Sequence, residues 1–361
     1  MSTEYILPVD PRLVPPGMID VPAAWRGPDL AGRDDWILRL TEEDLLEVEA
    51  AISAFRRSSM PLNSISPDTF SLPTLGPKLG GVLKEILDGR GFALLRGLPV
   101  NEYSTEESAI AYMGIGSYLG RPRSQNAKGH LLGHVKDLGY NVADPSVRYY
   151  QTRRKLDYHT DSVDIVGLLC LKTAKAGGES FIVSSVTCFN EFRARRPDLV
   201  ARLFDAYPTD RRGEVPEAML PWFEMPIYHW YEGQLSASFS GEYIESAQRR
   251  FPQARRLTSA HEEALQLLAE VVNDPAVHLS MRFDSGDIQF LNNHVIFHAR
   301  GDFENWPEPE RHRHLLRLWL CPASGRPLPK AFEPRYGSTT PGDRGGIIVK
   351  GTSLKVPLEP E

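Results

Sequence analysis

The stretch His159-Thr-Asp-Ser-Val-Asp-Ile-Val-Gly-Leu-Leu-Cys-Leu-Lys-Thr173 joins a polar tripeptide to a short apolar run. An apolar run of this length predicts a buried β-strand, here over residues 165–173. Because residues i and i+2 of an extended strand point to the same face, His159 and Asp161 are predicted to present their side chains to one point. An imidazole and a carboxylate held in this way can bind one metal ion.

A third metal ligand is predicted much further along the chain, in the stretch Asp287-Ile-Gln-Phe-Leu-Asn-Asn-His-Val-Ile-Phe-His-Ala-Arg300. We expect a strand over residues 288–291, followed by a turn that presents His298. Two imidazoles and one carboxylate on one face of an octahedral ion form the facial triad of non-haem Fe(II) oxygenases. His294 is the alternative third ligand, but the spacing to Arg313 and the string His298-Ala-Arg300 favour His298, which leaves a structural role for His294.

Two arginines follow in Arg311-His-Arg-His-Leu-Leu-Arg-Leu-Trp-Leu-Cys321, which predicts another buried strand. Arg313 and Arg317 are four residues apart, so both guanidinium groups are predicted to face the same way. A planar guanidinium group suits a carboxylate, and two such groups beside a metal site indicate an anionic cosubstrate or substrate. His312 and His314 face away from Arg313 in such a strand and are interpreted as structural.

The pattern of predicted elements indicates the fold class. Short strands bounded by turn residues are predicted over residues 91–97, 147–152, 159–161, 165–173, 180–185, 234–240, 278–283, 287–292 and 314–321, with 345–350 as a candidate edge strand. Helices are predicted over residues 41–55, 75–88, 104–119, 186–196, 197–204, 241–250 and 259–273. Many short strands of this kind predict a mainly β fold of the α+β class, a sandwich or jelly roll with helices on its outer faces.

Composition and charge exclude several classes of protein. Of the 361 residues, 41% are hydrophobic and 24% charged, which is typical of a globular protein. The net charge of −6 gives no general attraction to nucleic acid. Three widely spaced cysteines predict neither a disulfide framework nor a zinc site and fit a reduced cytoplasm. No leader pattern and no apolar run of about 18 residues is found, so we expect no membrane span.

The chain is predicted to fold as a single domain over residues 1–361, because it contains no internal repeat or flexible linker. Residues 1–89, proline-rich in their first forty positions, are expected to form an elaborated N-terminal wrap with helices. Residues 90–325 are expected to form the jelly-roll core, and residues 326–361 a C-terminal wrap.

The sequence resembles the taurine dioxygenase (TauD/TfdA) and clavaminate synthase-like superfamily of Fe(II)/2-oxoglutarate-dependent oxygenases over roughly residues 90–325. Five motifs carry the resemblance, in order and at suitable spacing. They are Gly-Phe-Ala-Leu-Leu-Arg-Gly-Leu-Pro at 91–99, His-Thr-Asp at 159–161, Ala-Gly-Gly-Glu-Ser at 176–180, Asn-Asn-x4-His-Ala-Arg at 292–300 and Arg-His-Leu-Leu-Arg-Leu-Trp-Leu at 313–320. The fold implied by the resemblance is a double-stranded β-helix, a form of jelly roll.

The resemblance also implies roles for individual residues. His159, Asp161 and His298 would bind iron, and Arg313 would pair with the distal carboxylate of 2-oxoglutarate. Ser180 stands where the family usually has a threonine whose hydroxyl assists that carboxylate, and serine keeps the hydroxyl. Arg317 occupies a position that in relatives lies near the cosubstrate or near an anionic group of the substrate.

The reaction that the resemblance implies is oxidation of an unactivated C–H bond of a small organic, anionic substrate, with O2 as a cosubstrate and with release of succinate and CO2. Hydroxylation is the default outcome, and desaturation and cyclisation are alternatives. Relatives occur as monomers, dimers and tetramers, so a homo-oligomer is compatible with the family. Two other classes stay open, namely a metal-dependent hydrolase that uses the same ligands with zinc or manganese, and a non-catalytic jelly-roll binding protein.

Overall fold

The computed structural model describes residues 11–140, 147–215 and 219–360. The strands in these ranges are β1 (Ile37–Arg39), β2 (Phe92–Arg96), β3 (Arg121–Pro122), β4 (Leu132–Lys136), β5 (Leu156–His159), β6 (Ile165–Lys172), β7 (Ala176–Gly177), β8 (Ser180–Ser184), β9 (Ala206–Asp210), β10 (Trp222–Pro226), β11 (Tyr228–Tyr231), β12 (Gln234–Ala237), β13 (Leu279–Met281), β14 (Ile288–Asn292), β15 (Ile296–Arg300), β16 (Phe303–Glu304) and β17 (His314–Cys321).

The α-helices are α1 (Gly27–Leu30), α2 (Glu42–Ser58), α3 (Leu75–Asp88), α4 (Thr105–Ser117), α5 (Ser185–Arg195), α6 (Gly241–Arg250), α7 (Ser259–Val272) and α8 (Glu333–Tyr336). Short 3-10 helices cover Pro11–Leu13, Leu62–Ser64, Tyr149–Gln151, Pro197–Phe204, Pro309–Arg311 and Lys330–Phe332. None of the helices in the described ranges is both long enough and apolar enough to cross a membrane.

Two β-sheets form the centre of the molecule. The larger has the strand order β1-β2-β14-β6-β17-β3, with β4 also paired to β17, and the smaller has the order β13-β8-β15-β5. On one face of β2, Phe92 and Leu94 are buried in a core that also contains residues of the smaller sheet. On the other face, Ala93 and Leu95 are buried among residues of α2, α3 and α4. This alternation is the period-2 burial of a strand with both faces covered. The arrangement is the double-stranded β-helix that the sequence predicts, and the α+β class is confirmed.

Helices cover the outer face of each sheet. Helices α2, α3 and α4 pack on the larger sheet, and α5, α7 and the 3-10 helix Pro197–Phe204 pack on the smaller one. Thr41 and Ser104 cap α2 and α4, each in a reciprocal capping box with the acidic residue three positions later. Both N-caps are predicted by the sequence, and a cap of this kind stabilises a helix by about 1 kcal/mol.

Several predicted elements are wrong or incomplete. Residues 147–152 do not form a strand, because the amide of Gln151 donates to the carbonyl of Arg148 and closes a 3-10 turn. Residues 345–350 form no strand either. The turn expected to present His298 is instead followed by strand β15, which carries this residue. The first forty residues are less irregular than expected, since β1 pairs in parallel with β2; residues 1–10 lie outside the described ranges.

Candidate metal centre and its two cavities

Three side chains converge between the ends of β5 and β15. His298 of β15 lies opposite His159, the last residue of β5, in the strand pairing, and the two imidazole ring centroids are 4.2 Å apart. Asp161 lies two residues beyond β5, and its carboxylate oxygens are 3.9 Å from Nε2 of each histidine. One ligand atom from each of the three residues lies within 4.8 Å of the other two.

Neighbouring groups fix the orientation of these side chains. Nδ1 of His159 lies 2.8 Å from the carbonyl oxygen of Asp157, so its Nε2 faces the cluster. Trp319 donates its indole N–H to Oδ2 of Asp161 at 2.9 Å, and the amide of Asp161 donates to Oδ1 of Asn293 at the same distance. β5 ends at His159, so Asp161 lies beyond the strand and the strand predicted over residues 159–161 is wrong there.

Burial and charge set the protonation of the cluster. Burial lowers the pKa of His159, and it lowers the pKa of His298 to about 3. Burial alone would raise the pKa of Asp161, but the positive charge of Arg317 and the hydrogen bond from Trp319 are among the effects that outweigh it, so the pKa lies below its usual value. Two neutral imidazoles and one carboxylate are therefore present at neutral pH, in the protonation states that metal ligands require.

His294 is not part of this cluster. Its Nε2 lies 2.9 Å from Oδ1 of Asp164, and the fully buried Arg344 donates to the same carboxylate. The structural role expected for His294 is therefore confirmed. His314 likewise faces away from the cluster, with its Nε2 2.8 Å from Nδ1 of His134.

An inner cavity extends from the three ligands into the space between the sheets. Its polar end is formed by Arg313, Arg300 and Ser180. The two guanidinium groups lie on the ring of Phe303, at 5.1 Å and 4.9 Å from its centroid, and Nη1 of each is buried without a hydrogen-bond partner among the described residues. Burial lowers the pKa of Arg313 to about 10 and that of Arg300 to about 9, the latter also through the charge of Arg313. This end of the cavity is suited to an anion.

Ser180 contributes a hydroxyl group to the same cavity. Its Oγ donates to Oε1 of Gln289 at 3.1 Å, and the amide nitrogen of Gln289 lies 2.8 Å from Sδ of Met281. A serine hydroxyl carries a single hydrogen, so in this arrangement it can only accept a hydrogen bond from a further group.

Arg317 stands between the inner cavity and a larger outer one, and it lines both. Its Nε donates to Oε1 of Gln125 at 2.7 Å, and its Nη1 lies 3.7 Å from Oδ2 of Asp161. The guanidinium carbon lies 4.7 Å and 5.1 Å from the ring centroids of Tyr150 and Trp319. These contacts hold a cation at the junction of the two cavities, beside the carboxylate of Asp161.

The outer cavity opens above the ligands and is lined by charged and aromatic side chains. Among them are Arg148, Glu214, Phe223, Tyr243 and Arg335. Arg148 pairs with the carboxylate of Glu214 at 2.9 Å and donates to the hydroxyl of Tyr243 at 3.2 Å. The cavity can therefore surround an organic molecule that carries polar and charged groups.

The structure brings together all six site residues predicted from the sequence, and it adds residues that the sequence analysis did not assign. Arg300 is two residues from His298 on β15, so the period-2 rule could have placed both side chains on one face. Gln125 and Glu214 reach the site from loops and Arg335 reaches it from the short helix α8, and no local pattern marks them.

Comparison with known proteins places the chain in a family. The family model "Taurine catabolism dioxygenase TauD, TfdA family" matches residues 58–319. The chain is 33% identical over 335 residues to "Taurine hydroxylase-like protein SAT17" of Stachybotrys chartarum, a match that covers 88% of this chain and 86% of that protein. It is 28% identical over 324 residues to "FR-33289 synthase" of Streptomyces rubellomurinus, which covers 87% of this chain and 94% of that protein.

Solved structures share the fold. A crystal structure of asparagine oxygenase in complex with Fe(II), 2S,3S-3-hydroxyasparagine and succinate superposes with a TM-score of 0.60, at 16% identity, over 79% of this chain and 93% of that one. The chain is an enzyme and a non-haem iron oxygenase that uses Fe(II) and 2-oxoglutarate. It belongs to the TauD/TfdA family of dioxygenases, because the family model spans most of its length and a relative above 30% identity covers nearly all of it.

Proposed function

We propose that His159, Asp161 and His298 bind the Fe(II) ion, through Nε2 of each imidazole and one oxygen of the carboxylate. The observation that carries this proposal is the convergence of their three ligand atoms within 4.8 Å. The donor set fits the ion, because two imidazoles and one carboxylate on one face are the ligands of non-haem Fe(II) oxygenases. Trp319 donates to Oδ2 of Asp161, and because each carboxylate oxygen has a second lone pair, this bond orients the carboxylate without preventing it from binding the metal.

We place 2-oxoglutarate in the inner cavity, with its distal carboxylate on Arg313 and Arg300. Two buried guanidinium groups with an unpaired Nη1 each support this position, because a buried cation is costly unless an anion compensates it. If the amide of Gln289 rotates, its NH2 group donates to Ser180, whose hydroxyl can then donate to the same carboxylate.

When bound, Fe(II) and 2-oxoglutarate supply the activation of O2 that oxidises a C–H bond, and 2-oxoglutarate is released as succinate and CO2. The side chains of the protein supply position and a dry environment. Trp319 and Arg317 hold the carboxylate of Asp161 in one orientation, and the apolar residues Val166 and Leu168 line the inner cavity and exclude water from it.

The substrate that we propose is a small organic molecule with an anionic group, bound in the outer cavity with that group near Arg317. The cation at the junction of the cavities supports this proposal, since a guanidinium group pairs well with carboxylate, sulfonate or phosphate. The name of the relative SAT17 refers to taurine, which carries a sulfonate. Hydroxylation is the outcome we expect. We also propose a cytoplasmic location, which the three free, buried thiols support.

The test is succinate formation from 2-oxoglutarate in air with added Fe(II), together with calorimetric binding of Fe(II) in the absence of oxygen. We expect Asp161→Ala to lose both, whereas Asp68→Ala, an exposed carboxylate outside the site, keeps both. Fe(II) binding by Asp161→Ala at the wild-type affinity would contradict the metal site. Hydrolysis with Zn²⁺ and without 2-oxoglutarate would instead support a hydrolase.

A further inference from the structure

The chain continues well beyond the last strand of the core, and this part approaches the metal ligands. Residues 326–346, here called the C-terminal segment, follow β17 and lie outside the range that the family model matches. The segment packs on residues 160–164, which we call the ligand loop. Because the loop contains Asp161 and lies directly after His159, its conformation decides where two of the three ligand atoms lie.

Arg335 makes the main contact between the two parts. Its Nη2 donates to the carbonyl oxygen of Thr160, and its Nη1 donates to Oγ1 of the same residue at 3.2 Å. Its Nε donates to Oγ of Ser162 at 2.9 Å, and Nη1 also donates to Oγ of Ser238. The guanidinium group therefore bridges the residues on both sides of Asp161.

These contacts determine what Arg335 can do. An arginine has five N–H groups, and the bonds just described occupy four of them. Arg335 lines the outer cavity, but its donors are directed at the protein and little capacity remains for a ligand. Thr160, in turn, exchanges hydrogen bonds with the backbone of Phe239, so Arg335 completes a network around the peptide that joins two metal ligands.

Other residues of the C-terminal segment hold the same loop. The amide of Gly346 donates to the carbonyl of Ser162 at 2.7 Å. A Cβ atom on Gly345 would lie 2.9 Å from that carbonyl oxygen and from Cα of Val163, so only glycine permits this approach. Arg344 donates hydrogen bonds to the carboxylate of Asp164, which is the last residue of the ligand loop.

We propose that the C-terminal segment holds the ligand loop in the conformation that binds the metal, and that Arg335 is its principal positioning residue. The proposal rests on the Fe(II) site proposed above. Groups that orient metal ligands without touching the metal affect affinity strongly, because a ligand that is free to move must be ordered when the ion binds. Arg335 acts on both sides of Asp161 and is therefore expected to influence the metal more than the rest of the fold.

The experiment compares Arg335→Gln with Arg326→Gln, a variant in the same segment. Arg326 donates to the carbonyl of Leu235 and to Ser236 on β12, so its removal loosens the segment without removing a hydrogen bond to the ligand loop. Binding of Fe(II) to the metal-free full-length protein is measured by calorimetry without oxygen, and the thermal midpoint of the metal-free protein is measured in parallel. We expect Arg335→Gln to weaken Fe(II) binding about tenfold or more, and Arg335→Lys to weaken it less.

We expect Arg326→Gln to lower the thermal midpoint while it retains the wild-type affinity for Fe(II). Equal Fe(II) affinities in Arg335→Gln and Arg326→Gln would overturn the proposal while the iron site stands. If Arg335→Gln does not fold, Arg335→Lys is compared with Arg326→Gln instead. Equal Fe(II) affinities in these two variants would overturn the proposal in the same way. Failure of the wild-type protein to bind Fe(II) would instead overturn the iron site, and this proposal with it.

Discussion

Arg313 and Arg300 place two buried guanidinium groups on one phenylalanine ring, and within the described residues neither forms an ion pair with a carboxylate. Arg300 is held by the carbonyls of Thr152 and Arg154, and Arg313 has one long bond to the carbonyl of Gly178 at 3.4 Å. Carbonyl groups satisfy donors but do not neutralise charge. If 2-oxoglutarate binds as proposed, its distal carboxylate would supply the negative charge that compensates the pair.

At the residue scale, we predict that Arg313→Gln weakens 2-oxoglutarate binding by about tenfold to a hundredfold, because a hydrogen bond to a charged group contributes about 1.5–3 kcal/mol. Arg300→Gln should act in the same direction. The affinity for Fe(II) should not change, since neither residue is a metal ligand. Arg311→Gln is the matched control, because this arginine is exposed and stacks on Trp306. Calorimetric titration of the Fe(II)-loaded protein without oxygen measures the effect, and wild-type affinity in Arg313→Gln would refute the assigned role.

At the scale of elements, the contact of β6 with α4 depends on one small residue. Gly167 of β6 lies beneath Tyr112 of α4 and beside Phe290 of β14. A Cβ atom at this position would lie 2.6 Å from the hydroxyl oxygen of Tyr112 and 2.7 Å from the ring of Phe290. Because β6 leads directly out of the ligand loop, this packing also fixes the strand on which the loop is mounted.

We predict that Gly167→Ala lowers the free energy of unfolding by about 1–3 kcal/mol, the usual cost of overpacking a core. The control is Gly81→Ala in α3, where an added Cβ meets no atom within 4 Å. That substitution should raise the free energy of unfolding by about 0.5–1 kcal/mol, because alanine loses less backbone entropy in a helix. Urea unfolding of the metal-free variants measures both, and a shift of the two in the same direction would show that steric crowding is not the cause.

For the molecule as a whole, several histidines are buried in a neutral state. Burial lowers the pKa of His294 to about 4, and it lowers the pKa of His229, His298 and His314 to about 3. In the unfolded chain these groups have their ordinary pKa of about 6.5. The unfolded state therefore takes up protons first as the pH falls, which disfavours the fold.

We predict that the free energy of unfolding of the metal-free protein is greatest above pH 6.5 and decreases progressively as the pH falls from 6.5 towards 4. The pKa shift of His294 alone corresponds to about 3 kcal/mol at the acid end of this range. Urea unfolding at pH 7.5, 6 and 5 measures the slope. His314→Gln should make the slope shallower, because one buried imidazole is removed. A free energy of unfolding that is constant from pH 7 to 5 would contradict the prediction.

The sequence by itself determined the chemistry of the site and most of the core strands. The candidate metal-binding side chains, the arginines Arg313 and Arg317 that both line the inner cavity, and the N-caps Thr41 and Ser104 are predicted from residue type and from short spacings along the chain. Over a few residues the local backbone conformation determines the direction in which each side chain points. Such features can therefore be predicted without knowledge of the rest of the chain.

Only the tertiary structure decided how the site is completed. The amide of Asp161 donates to Asn293, and the carbonyl of Thr160 accepts from Arg335, which is 175 positions away in the chain. Nη1 of Arg313 and Nη1 of Arg300 have no hydrogen-bond partner among the described residues, and this is a property of the packed structure, in which both side chains lie on the ring of Phe303. No local periodicity encodes contacts between segments so far apart, because they arise from the packing of the whole chain.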